Sequence, residues 1–117
     1  MSKNALSTNE ALHKEDQLVS SNGLWKAVFQ NDGNFVIYGW KATWASDTYG
    51  SDGTRVVMQP DGNLVIYNKC DQPKWNTATC TAGAHLNARV ELTNEGNLVL
   101  FKENVKSWSS ADSRGQK

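Results

Sequence analysis

The stretch 30-QNDGNFVIY-38 returns twenty-nine residues later as 59-QPDGNLVIY-67, and thirty-four residues beyond that, in altered form, as 93-TNEGNLVLF-101. A repeat of this period constrains the fold more than any other property of the chain. Each copy must build the same supersecondary unit and bury its apolar face against the others. A Trp with Ser or Thr two places on follows every copy, as 44-WAS-46, 75-WNT-77 and 108-WSS-110. The Trp lies ten, twelve and eleven residues after the Asn of its motif, at Asn34, Asn63 and Asn97. Three such units span nearly all of the 117 residues, leaving a polar N-terminal lead-in and the tail SADSRGQK. One domain over residues 1–117 is the expected organisation.

Within each unit the pattern is β. Short runs such as AVF, FVIY, RVVM, LVIY, RVEL and LVLF are rich in β-branched and aromatic residues. Between them lie Asn-Gly, Asp-Gly and Gly-Ser steps and almost no helical periodicity. Asp-Gly between two apolar runs predicts a hairpin, with Asn31-Asp32-Gly33 as the loop and Gly33 left-handed. Gln30 and Asn34 then become cross-strand neighbours. Alternation places Lys26, Val28, Gln30, Asn34, Val36 and Tyr38 on one face, and Ala27, Phe29, Phe35 and Ile37 on the other. Repeat two sorts alike, with Gln59, Asn63, Val65 and Tyr67 opposite Val56, Met58, Leu64 and Ile66. In repeat three the inner set is Val90, Leu92, Leu98 and Leu100.

One face of each hairpin is therefore core, and the other carries the chemistry. It combines two amides, a turn carboxylate (Asp32, Asp61), a Val and a phenol, held in register in two copies. Folding alone accounts for the turns and the apolar alternation but not for matching Gln and Tyr outside. Donors and acceptors at fixed angles suit vicinal hydroxyls, and the Val offers a small apolar floor for a C–H face. A neutral polyhydroxylated ring is the ligand this array fits. Hydrogen bonds to the carboxylate should be the strongest, about 1.5–3 kcal/mol each against about 0.5–1.5 for neutral ones.

The pattern Gln-x-Asp-x-Asn-x-Val-x-Tyr resembles the signature of the bulb-type, or monocot-type, mannose-binding lectins, and both intact copies match it at every specified position. The trailing Trp-x-Ser/Thr also resembles that family. The resemblance implies an all-β fold, the β-prism II: three four-stranded antiparallel sheets about a pseudo-threefold axis. It implies two sites for terminal mannose, Gln30, Asp32, Asn34, Val36 and Tyr38 in one, Gln59, Asp61, Asn63, Val65 and Tyr67 in the other. By resemblance, Asp and Asn bind the axial 2-hydroxyl, Gln the 3- and 2-hydroxyls and Tyr the 4-hydroxyl, while Val packs on ring carbons. No metal and no cofactor are implied. Mannose-terminated glycans are the implied partners, and a homodimer through the C-terminal strand around Trp108 is the implied assembly. The start MSKNALSTNEALHKED lacks an apolar leader core. In that respect the chain is most similar to the fish skin-mucus branch, which implies an extracellular setting, with the cytoplasm as the alternative.

The third copy departs from the pattern. Thr93 replaces Gln, Glu95 replaces Asp and Phe101 replaces Tyr, while Asn97 and Val99 remain. About three lost hydrogen bonds, about 2–4 kcal/mol, remove most of the about 4 kcal/mol that a millimolar site possesses. The third site is expected to be silent. In the plant proteins of the family a disulfide begins within the first motif, at the position that here is Gly33, and its partner region reads 53-GTR-55.

Composition narrows the alternatives. Twelve Lys and Arg balance twelve Asp and Glu, so no overall field draws in nucleic acid or an anionic membrane. No apolar run approaches the about 20 residues that a membrane span requires, so no membrane insertion is expected. Cys70 and Cys80, the only cysteines, lack zinc-site spacing. A hairpin turning at residues 71–74 would pair Cys70 with Trp75 and leave Cys80 far along the strand, so a bridge and free thiols both stay open. Trp44, Trp75 and Trp108 are expected to share a core about the axis; Trp25 and Trp40 fall outside that set, Trp40 being expected to pack with flanking of site one as the alternative, and His13 and His85 are expected at the surface. Asp32 and Asp61 belong to separate hairpins, whereas glycoside hydrolysis needs two carboxylates about 5–10 Å apart on one substrate. No enzyme is expected. A β-trefoil is the rival fold, and an adhesive or scaffolding repeat protein without significant sugar binding is the rival function.

Overall fold

The structure, a computed structural model, describes residues 3–81 and 87–112. The lead-in supplies three short strands, β1 (Ala5–Ser7), β2 (Ala11–His13) and β3 (Gln17–Val19). Repeat one contributes β4 (Lys26–Phe29), β5 (Phe35–Tyr38) and β6 (Ala42–Ala45). Repeat two contributes β7 (Gly53–Met58), β8 (Leu64–Asn68) and β9 (Pro73–Asn76), and repeat three β10 (Arg89–Leu92), β11 (Leu98–Lys102) and β12 (Val105–Ser109). A single turn of 3₁₀ helix, Ser110–Asp112, follows.

Each repeat forms three strands of an antiparallel four-stranded sheet, and one lead-in strand completes it. The orders are β3-β4-β5-β6, β2-β7-β8-β9 and β1-β10-β11-β12. This is the β-prism II arrangement. The lead-in is therefore not a polar overhang but the outer edge of all three sheets, dealt out in reverse order. Its signal is present in the sequence as Leu6, Leu12 and Leu18, one every six residues, each at most 3% exposed. Between them, Glu10 accepts from the Ser7 N–H at 2.8 Å and Asp16 from the His13 N–H at 2.9 Å. Those two side chains turn the lead-in from one sheet to the next.

The hairpin register is the one the Asp-Gly steps dictate. Phe29 pairs with Phe35 and Met58 with Leu64. The Gln30 N–H donates to Asn34 O at 2.9 Å, and Gly33, at φ 86°, donates back to Gln30 O at 3.0 Å. Ala27, Phe29, Phe35 and Ile37 are fully buried, as are Val56, Met58, Leu64, Ile66, Val90, Leu92, Leu98 and Leu100. Trp44, Trp75 and Trp108 close a ring of edge-to-face contacts, with centroids 5.8, 5.8 and 5.9 Å apart. That is the spacing at which aromatic pairs add attraction beyond the area they bury.

Three expectations fail. Trp40 does not pack: it is 96% exposed at the tip of the β5–β6 hairpin, where Gly39 N–H bonds Lys41 O across it. The β8–β9 turn begins two residues early, at residue 69 instead of 71, because Tyr67 pairs with Pro73 across a bulge and the Asn68 N–H donates to Gln72 O. Proline cannot continue the ladder as a donor, so it starts the strand instead of sitting in the turn. Cys70 is thereby a turn residue rather than a partner of Trp75, and Cys70 and Cys80 are both free and exposed thiols. Trp25 does pack, against the core, and His13 is at the surface. His85 lies outside the described residues.

Candidate functional site

The outer face of β4–β5 brings together the side chains that alternation assigns to it. Asp32 at the turn is held from both sides: the Asn34 N–H donates to Oδ1 at 2.9 Å, and Gln30 Nε2 to Oδ2 at 3.0 Å. Gln30 Oε1 in turn accepts from the Tyr38 hydroxyl. Beneath these groups Val36 keeps 4% of its surface exposed, so the apolar floor is narrow. Over them lies a shallow depression of about 500 Å³ bounded by Glu15, Lys26, Gln30, Asp32 and Tyr38.

Asn34 is fixed by residues that the motif does not contain. Its Oδ1 accepts from the Thr48 N–H at 3.1 Å and lies 3.2 Å from the Ser46 hydroxyl. Ser46 Oγ also accepts from the Phe35 N–H at 3.0 Å and sits 2.7 Å from Thr48 Oγ1, which donates to Gly33 O. With its oxygen so occupied, the Asn34 amide must present Nδ2 outward as a donor. Asp32 beside it can only accept. One hydroxyl between them can donate to the carboxylate and accept from the amide, using its only donor and one of its two lone pairs.

Repeat two builds the same cluster. The Asn63 N–H donates to Asp61 Oδ1 at 3.0 Å, and Asn63 Oδ1 accepts from Thr79 N–H at 3.2 Å and from the Thr77 hydroxyl at 3.1 Å. Thr77 Oγ1 takes the Leu64 N–H, and Thr79 Oγ1 donates to Gly62 O at 2.6 Å. Val65 is 3% exposed. The difference lies at the second carboxylate oxygen. Gln59 Nε2 here turns to the Tyr67 hydroxyl, and Asp61 Oδ2 accepts instead from Cys80 Sγ at 3.3 Å. That hydrogen bond, with a smaller contribution from burial, raises the Cys80 pKa above its ordinary value.

The supporting hydroxyls explain Trp-x-Ser/Thr, which the sequence displays without a role, and add a position it does not flag. The intact units read W-A-S-D-T and W-N-T-A-T, the third W-S-S-A-D. Asp47 and Ala78, at φ 61° and 58°, step into the left-handed region and carry Thr48 and Thr79 back toward the Asn. In repeat three the chain runs on as the 3₁₀ turn, and Asp112 faces Lys106 at 3.9 Å. Ser110 still caps the strand through the Leu98 N–H at 2.9 Å, but the Asn97 N–H goes to Thr93 Oγ1 at 3.3 Å. Val99 and Phe101 keep their places on this outer face, and Glu95 is exposed.

Each motif turn is also pressed by a different neighbour. A side chain at Gly33 would collide with Ser51, at Gly62 with Lys102, and at Gly96 with Trp25. Trp25 Nε1 donates to Asn94 O at 3.1 Å, and Asn22 engages the same residue through its backbone N–H at 2.9 Å and its Nδ2 at 3.2 Å. The altered third turn thus serves as a socket for the loop that precedes β4. Among the described residues no cluster of three metal-ligating side chains occurs. Asp32 and Asp61 stand on separate sheets, without the shared cleft that acid–base hydrolysis requires.

No model of a protein family matches the chain. It is 54% identical over 114 residues to plumieribetin, a B-type lectin of Scorpaena plumieri, covering 97% of this chain and 100% of that one. It is 36% identical over 115 residues to a mannose-specific lectin of Aloe arborescens, covering 95% and 99%. In three dimensions it is similar to the mannose-specific agglutinin of snowdrop (Galanthus nivalis) bulbs in complex with methyl-α-D-mannoside, with TM-score 0.75, 29% identity and coverage of 97% and 100%. Over nearly its full length, therefore, the chain belongs to the bulb-type lectin family, a family of non-enzymatic carbohydrate-binding proteins built as a β-prism II.

Proposed function

We propose that the chain binds terminal D-mannose through two sites, Gln30, Asp32, Asn34, Val36 and Tyr38 in the first and Gln59, Asp61, Asn63, Val65 and Tyr67 in the second. The observation that carries this reading is the paired Asp acceptor and outward Asn donor, built twice with the same supporting hydroxyls. An axial 2-hydroxyl can enter between such a pair, whereas the equatorial 2-hydroxyl of glucose points away from it. The names of the Aloe and snowdrop relatives, mannose-specific in both cases, lend support. The third site, with Glu95 for Asp, no amide support and Phe101 for Tyr, does not bind.

Each site is shallow, and water competes for every hydroxyl. Function then comes from multivalency, in which linked sites raise apparent affinity about 10²–10⁴-fold without a new contact. Mannose-terminated glycans displayed on a surface are the natural partners, met outside the cell, in agglutination or mucosal defence. A homodimer formed by exchange of β12 would double the number of sites, since a partner's β12 can make the same ladder with β11. Size-exclusion chromatography at rising concentration tests that assembly, and a strict monomer removes it.

The decisive experiment on the sites is Asp32→Ala combined with Asp61→Ala. The double variant keeps the strand signature in circular dichroism and loses mannose binding by calorimetry and on a glycan array. Retained binding would defeat the assignment.

A further inference from the structure

The depression over site 1 does not end at Tyr38. Beyond it, toward the β5–β6 tip, lies a second depression of about 350 Å³, lined by Val19, Leu24, Trp25, Lys26, Tyr38 and Gly39. Lys26 and Tyr38 bound both spaces, so the two are adjoining compartments of one surface. The second is lined by two large apolar side chains, Leu24 and Trp25, that do not line the first. Leu24 is 70% exposed, and Trp25 packs beside Gly39, where an added side chain would strike its indole. Trp40, exposed at the tip, follows directly. Small-molecule sites begin at about 300 Å³, so the annex has room for one sugar unit.

Site 2 is built differently at this place. Arg55 holds the register position of Lys26, paired with Tyr67 as Lys26 is with Tyr38. Its guanidinium lies 5.0 Å over the Tyr67 ring and is tied to Asn68 O at 3.1 Å and to Asp71. A planar, stacked and doubly bonded Arg is fixed over the Tyr67 ring, whereas Lys26, 5.8 Å from the Tyr38 ring, is a flexible single ammonium free to move aside.

We propose that site 1, unlike site 2, accepts a mannose carrying a further sugar on its 6-hydroxyl, with that sugar seated against Leu24 and Trp25. The inference rests on the mannose reading above and deepens it. In that reading the 2-hydroxyl lies at Asp32 and Asn34 and the 4-hydroxyl at Tyr38, so the ring runs along β5 from the turn toward the tip. The exocyclic C6 projects from the ring carbon next to C4 and therefore points past Tyr38 into the annex. The anomeric carbon, next to C2, points the opposite way. An inner mannose substituted only at its 6-hydroxyl can thus occupy site 1, while site 2 is left to chain ends.

The test uses Asp61→Ala protein, in which site 1 alone is intact, and Asp32→Ala protein, in which site 2 alone is intact. The probes are methyl α-mannoside and the disaccharide bearing an α-glucosyl unit on its 6-hydroxyl. Glucose cannot itself seat between Asp and Asn. Site 1 is expected to bind the disaccharide about fivefold more tightly than methyl α-mannoside. Leu24→Ser, a change at an exposed position, abolishes that gain and leaves methyl α-mannoside affinity unchanged, and site 2 shows no gain. Equal affinity of site 1 for both probes, or a gain that survives Leu24→Ser, overturns the annex and leaves the mannose sites standing. If neither protein binds methyl α-mannoside, the mannose reading itself fails and the annex falls with it.

Discussion

The first two motifs and the third share a hairpin, a Gly turn, a strand-capping hydroxyl and a Trp in the central ring. They differ in most of what faces outward, Asn97 and Val99 excepted. Repeat three has lost its Gln, Asp and Tyr, and with them the Thr that steadies the Asn in the other two, where Asp112 now stands. The shared parts are those that bury apolar surface or satisfy backbone groups. Most of the parts that differ hold polar side chains outward at a cost in solvation that a ligand would offset, although Thr48 and Thr79 also satisfy Gly33 O and Gly62 O. The comparison separates the needs of a prism from those of a binding face, residue by residue.

Four experiments break or sharpen that contrast. The largest effect concerns what the repeats share. Trp44→Ala and Trp108→Ala should each destabilise the protein by up to about 3–5 kcal/mol, the ceiling set by a fully buried aromatic ring, since both indoles are partly buried against the core, as read by denaturant unfolding. Near-equal losses mean that the altered repeat bears as much of the fold as an intact one, and a much smaller loss for Trp108 would break the equivalence. The next experiment rebuilds what differs. Thr93→Gln, Glu95→Asp, Phe101→Tyr and Asp112→Thr together should add a third mannose site, restoring about 2–4 kcal/mol of hydrogen bonding. Calorimetric stoichiometry rises from two to three, and the same protein without Asp112→Thr stays at two.

A smaller effect isolates the supporting hydroxyl in an intact repeat. Thr48→Val keeps the backbone N–H that holds Asn34 but leaves Gly33 O without its donor. The cost should be about 1–3 kcal/mol of stability, with site 1 weakened and site 2 unchanged in Asp61→Ala and Asp32→Ala backgrounds respectively. An unchanged site 1 would confine Thr48 to the fold. The smallest effect distinguishes the two intact sites. The Cys80 thiol donates to Asp61, which raises its pKa, so it stays protonated until the pH has passed above the ordinary thiol range. Only the thiolate is nucleophilic. Alkylation of Cys80 should therefore accelerate several-fold in Asp61→Ala protein near pH 8, with Cys70 as internal reference, as mass spectrometry resolves. No change in rate would remove the hydrogen bond from the description of site 2.

Much of this architecture is legible in the sequence because its determinants are local. An Asp-Gly step with alternating flanks sets the Gln30–Asn34 register by itself, and one fixed pair determines every side chain's face. The lead-in was harder to read. Strands of three residues carry too short a pattern to show period two, and only the six-residue spacing of Leu6, Leu12 and Leu18 betrays them. Thr48 and Thr79 escape for a different reason: they act through a left-handed step at Asp47 and Ala78, residues with no Gly to advertise it. Trp40 departs from the expected packing because a bulky aromatic is ordinarily buried, and nothing local says that its hairpin projects into solvent.

The reverse allotment of the lead-in strands nests the three sheets like parentheses. The first closes over a short span, β3 against β4, the second must bring residues 11–13 to 55–57, and the third residues 5–7 to 89–91. Loop-closure entropy grows with each enclosure, and non-local pairing is slow. During synthesis, then, the sheet bearing site 1 can zip while the ribosome is still making repeat two. The outermost sheet, the one with the altered motif, waits for the end of repeat three and fastens the other two inside it.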